Sequence, residues 1–319
     1  MNKTDTNKAD WDLYYKIKGI FGENINRYSV AKAENDDICV SEKLFAPYFN
    51  NKNLIQPSIL HSNMLRLAIK IYKAHKEHFK NKPNTKFDII GFIKLWNIDN
   101  LREDDHKPLI ATYKEIPSLA MQTLRIVLQE SIDINDRANV LYYLPYINKI
   151  IDSKAENVIW AIFTRANAYV FLGDVQNAKM DRLLVVINNR KQSWAWSDLA
   201  EIFTMTNEKD LEFSCYCKAL SLVANNKQEP FIIKTREKFA DLLVERREFG
   251  AAKYELSKIY TYLKKNKRQI PIMLMAKIES KVFKEVESTK NNKTLYAKFT
   301  PIVEKFVFWH SSTLESRDD

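Results

Sequence analysis

A pattern of small and aromatic residues recurs at a spacing of 34 in the C-terminal half of the chain, and it constrains the fold more than any other feature. The stretch from Val158 to Asn189 lines up with the stretch from Gln192 to Val223. Ala166 falls on Ala200, Tyr169 on Phe203, Val175 on Lys209 and Val185 on Ala219. A third, more degenerate copy follows 40 residues later, with Ala240, Leu243 and Ala252 in the corresponding places. A period of about 34 residues fits one helix, a tight turn and a second helix. Such a unit cannot bury its apolar face alone, so copies stack into a solenoid that works mainly by offering a concave surface to a partner. Ala166, Ala200 and Ala240 let the first helix of each unit approach the second closely, and Ala178 and Ala252 do the same from the second helix. Tyr169 and Phe203 fill the gap to the next unit. Glu212 breaks the small-residue rule in the middle unit, so that interface is expected to be looser or shifted.

Composition narrows the field. The chain has 319 residues, enough for roughly two domains, and 45% hydrophobic and 28% charged residues, as in a folded soluble protein. Five glycines are too few for tight hairpins and phosphate loops, and neither GxGxxG nor GxxxxGK[ST] occurs. Helices joined by short polar turns are expected. The net charge of +10 suits a nucleic acid, an acidic protein or an anionic surface, and equally a Lys-rich coding bias. Three cysteines, Cys39, Cys215 and Cys217, make no disulfide framework, and a reducing cytoplasm is expected. The first ten residues are polar, with no signal-peptide core, and no window of about 20 residues is free of charge.

Read along the chain, Trp11 to Lys18 starts a helical pattern, Asp36 to Phe49 reads as a short helix, and Pro57-Ser58 opens a strong one to about Phe79. Another short helix covers Phe87 to Trp96, and Asn97 to Lys114 reads as polar and irregular. Pro117 opens a helix capped by Ser118, and helix continues over Ile134 to Ile151 with a bend at Pro145. Helix pairs are expected at 157–172 with 175–189, 194–205 with 208–223, and 231–246 with 250–265. A seventh helix runs from Pro271 to about Val286, Asn291-Asn292 breaks the chain, and Tyr296 to Val307 is a last amphipathic helix. The expected fold is all-α, with an N-terminal helical domain over 1–155 and a repeat domain with capping helices over 156–319.

The segments Ser193-Trp-Ala-Trp-Ser-Asp-Leu-Ala200 and Cys215-Tyr-Cys-Lys-Ala-Leu220 resemble the first and second helices of a tetratricopeptide unit. Pro57-Ser-Ile-Leu-His-Ser-Asn-Met-Leu-Arg66, Leu95-Trp-Asn-Ile-Asp-Asn-Leu-Arg-Glu-Asp104, Pro117-Ser-Leu-Ala120, Phe231-Ile-Ile-Lys-Thr-Arg-Glu-Lys-Phe-Ala240 and Gln269-Ile-Pro271 extend the likeness. Together they resemble a bacterial family of tetratricopeptide-repeat proteins associated with TOTE-type conflict systems, over about residues 55 to 310. The resemblance implies a helical scaffold with no catalytic residues to carry over. Members often look like a helical module followed by a cold-shock- or S1-like RNA-binding barrel. No Gly-rich alternating strands follow the last helix here, so RNA binding through a barrel is not expected.

No constellation points to catalysis. His75 and His78 share a helix face without further ligands, and Asp104-Asp105-His106 lacks a nucleophile. Cys39 is read as an inert thiol. Trp160, Phe163, Tyr169, Trp194, Trp196, Phe203 and Tyr216 sit at repeat spacing and read as core, with Trp194 the expected exposed exception. The expectation is therefore a cytoplasmic, non-enzymatic scaffold without cofactor or metal, holding a protein or peptide partner against Arg165, Asn167, Trp194, Asp198, Glu201 and Arg236. The alternative is RNA or single-stranded nucleic acid bound at Lys264, Lys265, Lys267 and Arg268.

Overall fold

The computed structural model describes residues 57–78, 88–111, 114–153, 158–223 and 229–315, with a few positions before residue 57. The chain divides into two compact units, residues 1–164 and 165–319, with the division inside one helix. The readings over 36–49, including Cys39, lie outside the described residues, as do the side chains of His75 and His78.

In the first unit, α1 (Ile59–His78) and α2 (Ile89–Trp96) lead into two short 3-10 turns, Ile98–Asn100 and Glu103–His106. A two-stranded antiparallel hairpin follows, β1 (Leu109–Ala111) against β2 (Lys114–Ile116), with Leu109 opposite Ile116. Then come α3 (Leu119–Asp133), α4 (Arg137–Ser153) and the start of α5 (Ile159–Leu172). Met64, Leu65, Ala68, Ile93, Trp96, Val127, Leu128, Val140, Tyr143 and Ile147 make the core. The ordered turns and hairpin correct the irregular reading of 97–114. What organises them is Asp105, a fully buried carboxylate that accepts from Ser62 Oγ, Arg66 Nη2 and Arg102. Burial alone would raise its pKa, but those three donors outweigh burial and hold it below the usual carboxylate range.

Local chemistry sets the helix ends. Ser118 Oγ accepts from the Met121 amide at 3.1 Å, as a cap should. The expected continuous helix over 134–151 is instead interrupted: Asn135 takes a left-handed φ of 59°, the Asp136 amide donates to the Ser131 carbonyl at 2.7 Å, and α4 starts afresh. Asn is one of the few residues that visit this conformation cheaply.

The same turn then recurs in the second unit. Between α5 and α6 (Val175–Asn188), Gly173 has φ 82° and the Asp174 amide donates to the Tyr169 carbonyl at 2.9 Å. Between α7 (Ser193–Met205) and α8 (Lys209–Ser221), Asn207 has φ 57° and Glu208 donates to Phe203 at 2.9 Å. Between α9 (Glu229–Glu245) and α10 (Phe249–Lys265), Arg247 has φ 62° and Glu248 donates to Leu243 at 2.8 Å. Each is a Schellman closure that satisfies the last carbonyls of the first helix. Gly173, Asn207 and Arg247 stand 34 and 40 residues apart, the spacing of the repeat. The second unit is thus a tetratricopeptide-like array of helical hairpins, and among the described residues the fold is all-α apart from the small hairpin of the first unit. Ala166, Ala178, Ala200, Ala240 and Ala252 are all buried, in the close-approach positions. Glu212 is accommodated within its hairpin: it is buried, accepts from Thr204 Oγ1 at 2.6 Å and lies 3.4 Å from Lys209 Nζ.

After α10, the single helix expected from Pro271 to Val286 is two, α11 (Ile272–Glu279) and α12 (Lys281–Lys284), because Ser280 is extended at φ −61° and ψ 153°. The last helix, α13 (Lys293–Glu315), lies along the second helices of the hairpins. Phe299 meets Phe213 edge-on at 4.8 Å, Phe306 meets Phe203 at 5.6 Å, and Tyr296 and Asn292 both donate to the buried Glu255 of α10. Asn292, expected to be a simple break, is therefore a buried anchor.

Candidate protein-binding face

With α13 on the second helices, the outward stripe of the first helices is the array's open face. On α7 this stripe is Trp194, Ser197, Asp198, Glu201 and Met205, and on α9 it is Phe231, Lys234, Lys238, Asp241 and Val244. Ser197 and Thr235 share a hydrogen bond at 2.8 Å, and Lys238 Nζ donates to Glu201 at 2.6 Å. Both partners advance along the sequence together, so α7 and α9 run parallel. The ladder continues to α11, where Lys277 Nζ donates to both Asp241 oxygens at 2.7 and 2.9 Å. Large apolar side chains stand open at the matching ends of these helices: Phe231 is 84% exposed and Ile272 83%. Each stands beside satisfied charge pairs, Lys238 with Glu201 and Lys277 with Asp241.

Asp198 is the most informative side chain on this face. It lies 3.5 Å from Arg182 Nη1 of α6, and burial pushes its pKa up to about 6 against the pull of Arg182. Yet 31% of the side chain is still accessible. The carboxylate is thus crowded by its neighbours and still reachable from solvent. Perturbed acids in such settings are frequent at functional sites.

The other residues nominated from sequence are placed differently. Arg165 makes a two-pronged pair with Asp181, at 2.8 and 2.7 Å, and Asn167 accepts from Arg182, so both bind α5 to α6. Glu201 bridges α7 to α9 as described, and Trp194 is half-buried at the start of α7. Arg236 corrects the expectation of a groove-facing side chain: only 7% accessible, it turns inward to pair with Glu255. Lys238, Phe231 and Lys277 also lie on this stripe without having been nominated as partner contacts, and a stripe drawn through Lys234, Lys238 and Asp241 points to the first. The aromatic series behaves largely as core, with Trp196, Phe203 and Tyr216 buried, while Trp160 rather than Trp194 is the exposed member.

Lys264, Lys265, Lys267 and Arg268 are all exposed at the end of α10. Lys264 lies over the Tyr260 ring and Arg268 over Tyr262, at 5.8 and 5.6 Å. The Arg268 amide closes the helix on the Leu263 carbonyl at 2.9 Å. Cys215 and Cys217 are buried free thiols, and burial raises the pKa of both. Among the described residues no group of three His, Cys, Asp or Glu could hold a metal ion, and no helix is long and apolar enough to cross a membrane.

A family model described as a domain of unknown function, DUF7017, matches residues 159–301. That span is the hairpin array together with the first turns of α13. No curated protein matches. One similar solved structure is a MamA RS-1 ArsTM double mutant, 12% identical, with 66% of this chain and 98% of that chain covered at a TM-score of 0.43. The assignment of the array rests on its recurring turns and buried alanines.

Proposed function

We propose that the second unit is a non-enzymatic scaffold that holds a protein or peptide partner against the stripe of α7 and α9. The observation that carries this reading is Asp198, desolvated but reachable, on the face that α13 leaves open. Glu201, Lys238 and Asp241 offer charges of both signs along the parallel helices, and Phe231 offers an apolar anchor. Buried aromatic anchors with polar surroundings are where binding energy concentrates. A role in a bacterial conflict pathway rests on the sequence resemblance alone. The test is co-purification from native cells with the parent and with an Asp198→Lys, Phe231→Ala double variant of unchanged circular dichroism. A stoichiometric protein that leaves with the variant supports the reading. Material retained equally by both, or no stoichiometric protein with the parent, contradicts it.

The second reading, single-stranded nucleic acid at Lys264, Lys265, Lys267 and Arg268, is favoured by their joint exposure beside Tyr260 and Tyr262. Replacing the four with Gln should then flatten the salt slope of RNA binding by about three units, at roughly 0.7 per phosphate contact. An unchanged slope rejects that surface.

A further inference from the structure

The first unit contains a cleft of about 490 Å³ whose charged lining, among the described residues, is cationic. Its floor is one face of α1, where Asn63, Arg66, Lys70 and Lys73 recur at helical spacing. Leu109 and Ile116, the facing pair of the small hairpin, form an apolar wall, and Leu119 and Gln122 of α3 close the other side. Lys18 and Tyr14 also reach the cleft. Several cations of the unit stand against carboxylates: Lys76 with Glu130 and Asp133, Lys107 with Glu103 and Asp104, and in the cleft itself Arg66 with Asp105. Lys70 and Lys73 do not. Among the described residues no carboxylate lies within 4 Å of Lys70 or Lys73. Lys73 is instead close enough to Arg125 of α3 that burial first, and then this like charge, lower its pKa. Asp105 balances Arg66, but the exposed Lys70 and Lys73 add positive charge beside it that a bound anion would offset.

We propose that this cleft binds the polyphosphate of a nucleotide-sized ligand. Arg66 to Lys73 spans roughly 10 Å along the helix at about 1.5 Å per residue, the reach of a di- or triphosphate rather than of a long strand. The volume lies in the range of small-ligand sites, about 300–1,000 Å³. Leu109, Ile116 and Leu119 supply an apolar surface for a flat ring, and Asn63 and Gln122 supply amides at its edge. Arg66 is held in place from behind by Asp105 at 3.1 Å.

The experiment is titration of the full chain with a fluorescent nucleoside triphosphate at low salt, with inorganic tripolyphosphate and a 12-nucleotide RNA as competitors. The expected result is saturable binding, displaced by tripolyphosphate and weakened at least tenfold by Lys70→Gln with Lys73→Gln. The variant should melt no lower than the parent, since it relieves like-charge repulsion. The Lys264, Lys265, Lys267 and Arg268 quadruple Gln variant should bind as the parent does. No binding of the nucleotide or tripolyphosphate overturns the proposal. So does binding that survives the double variant, or binding of RNA alone.

Discussion

Asp198 and His61 are titratable groups whose pKa shifts act on stability in opposite directions over the same acid range. Asp198 binds its proton more tightly folded than unfolded, because burial raises its pKa to about 6. Its ionised form therefore lowers stability at neutral pH, and the penalty is relieved as pH falls from about 6 toward 4. A shift of this size, discounted for the accessible part of the side chain, corresponds to about 1–2 kcal/mol. Asp198→Asn should raise stability by that amount at pH 7 in urea denaturation and converge with the parent near pH 4. A less stable variant at pH 7 would mean that the pair with Arg182 is net stabilising.

His61 is fully buried, stacked on Trp96 at 4.1 Å, with Nε2 3.1 Å from the Trp96 carbonyl. Burial lowers its pKa to about 4 despite the upward pull of the Trp96 carbonyl and Asp105. Between about 6.5 and 4 the unfolded chain takes up a proton that the folded chain refuses, so stability present above 6.5 is lost as pH falls. The loss is on the order of 2–3 kcal/mol. His61→Gln should remove this part of the slope, read from denaturation midpoints across pH 4–7. An unchanged slope would place the acid sensitivity elsewhere.

At the scale of elements, the hairpins of the second unit were legible because their signals are local. Alanine at 166, 200 and 240 marks close approach, and Gly173-Asp174 marks a turn. The α3–α4 hairpin closes with the same turn at Asn135, yet its place in the pattern was hidden. Leu128 and Ser131 occupy the positions taken elsewhere by alanine and by Tyr169, Phe203 or Leu243, so side-chain recurrence fails where backbone recurrence holds. Arg236 shows the other limit: a polar residue points inward when a distant partner, here Glu255, satisfies it, and periodicity does not reveal that partner. Lys70 and Lys73 were overlooked because they share a helix with a strong apolar stripe.

Two substitutions test these elements. Ala200 is fully buried between α7 and α8, so Ala200→Leu should overpack the hairpin and cost about 1–3 kcal/mol. An unchanged thermal melt would mean that the site is not a close-approach position. Gly250, near the start of α10, accepts from the Thr289 amide at 3.2 Å, and a Cβ there would come within 2.9 Å of the Glu287 carbonyl oxygen. Gly250→Ala should push the 287–289 segment away and lower stability by about 1–3 kcal/mol. Preserved stability with unchanged amide protection at Thr289 would contradict that close approach.

At the scale of the whole molecule, the two units divide the work. The first holds a core organised by Asp105 and a cationic cleft, and the second repeats one hairpin until α13 covers its second helices. The central claim is that the uncovered stripe of first helices is the working surface of the array. Hydrogen–deuterium exchange of the protein alone and with its co-purified partner tests it most directly. The account predicts new protection over residues 193–205 and 229–245, with 264–268 and the outer side of α13 unchanged. Protection confined to α13 or to 264–268, with α7 and α9 unaltered, would contradict it.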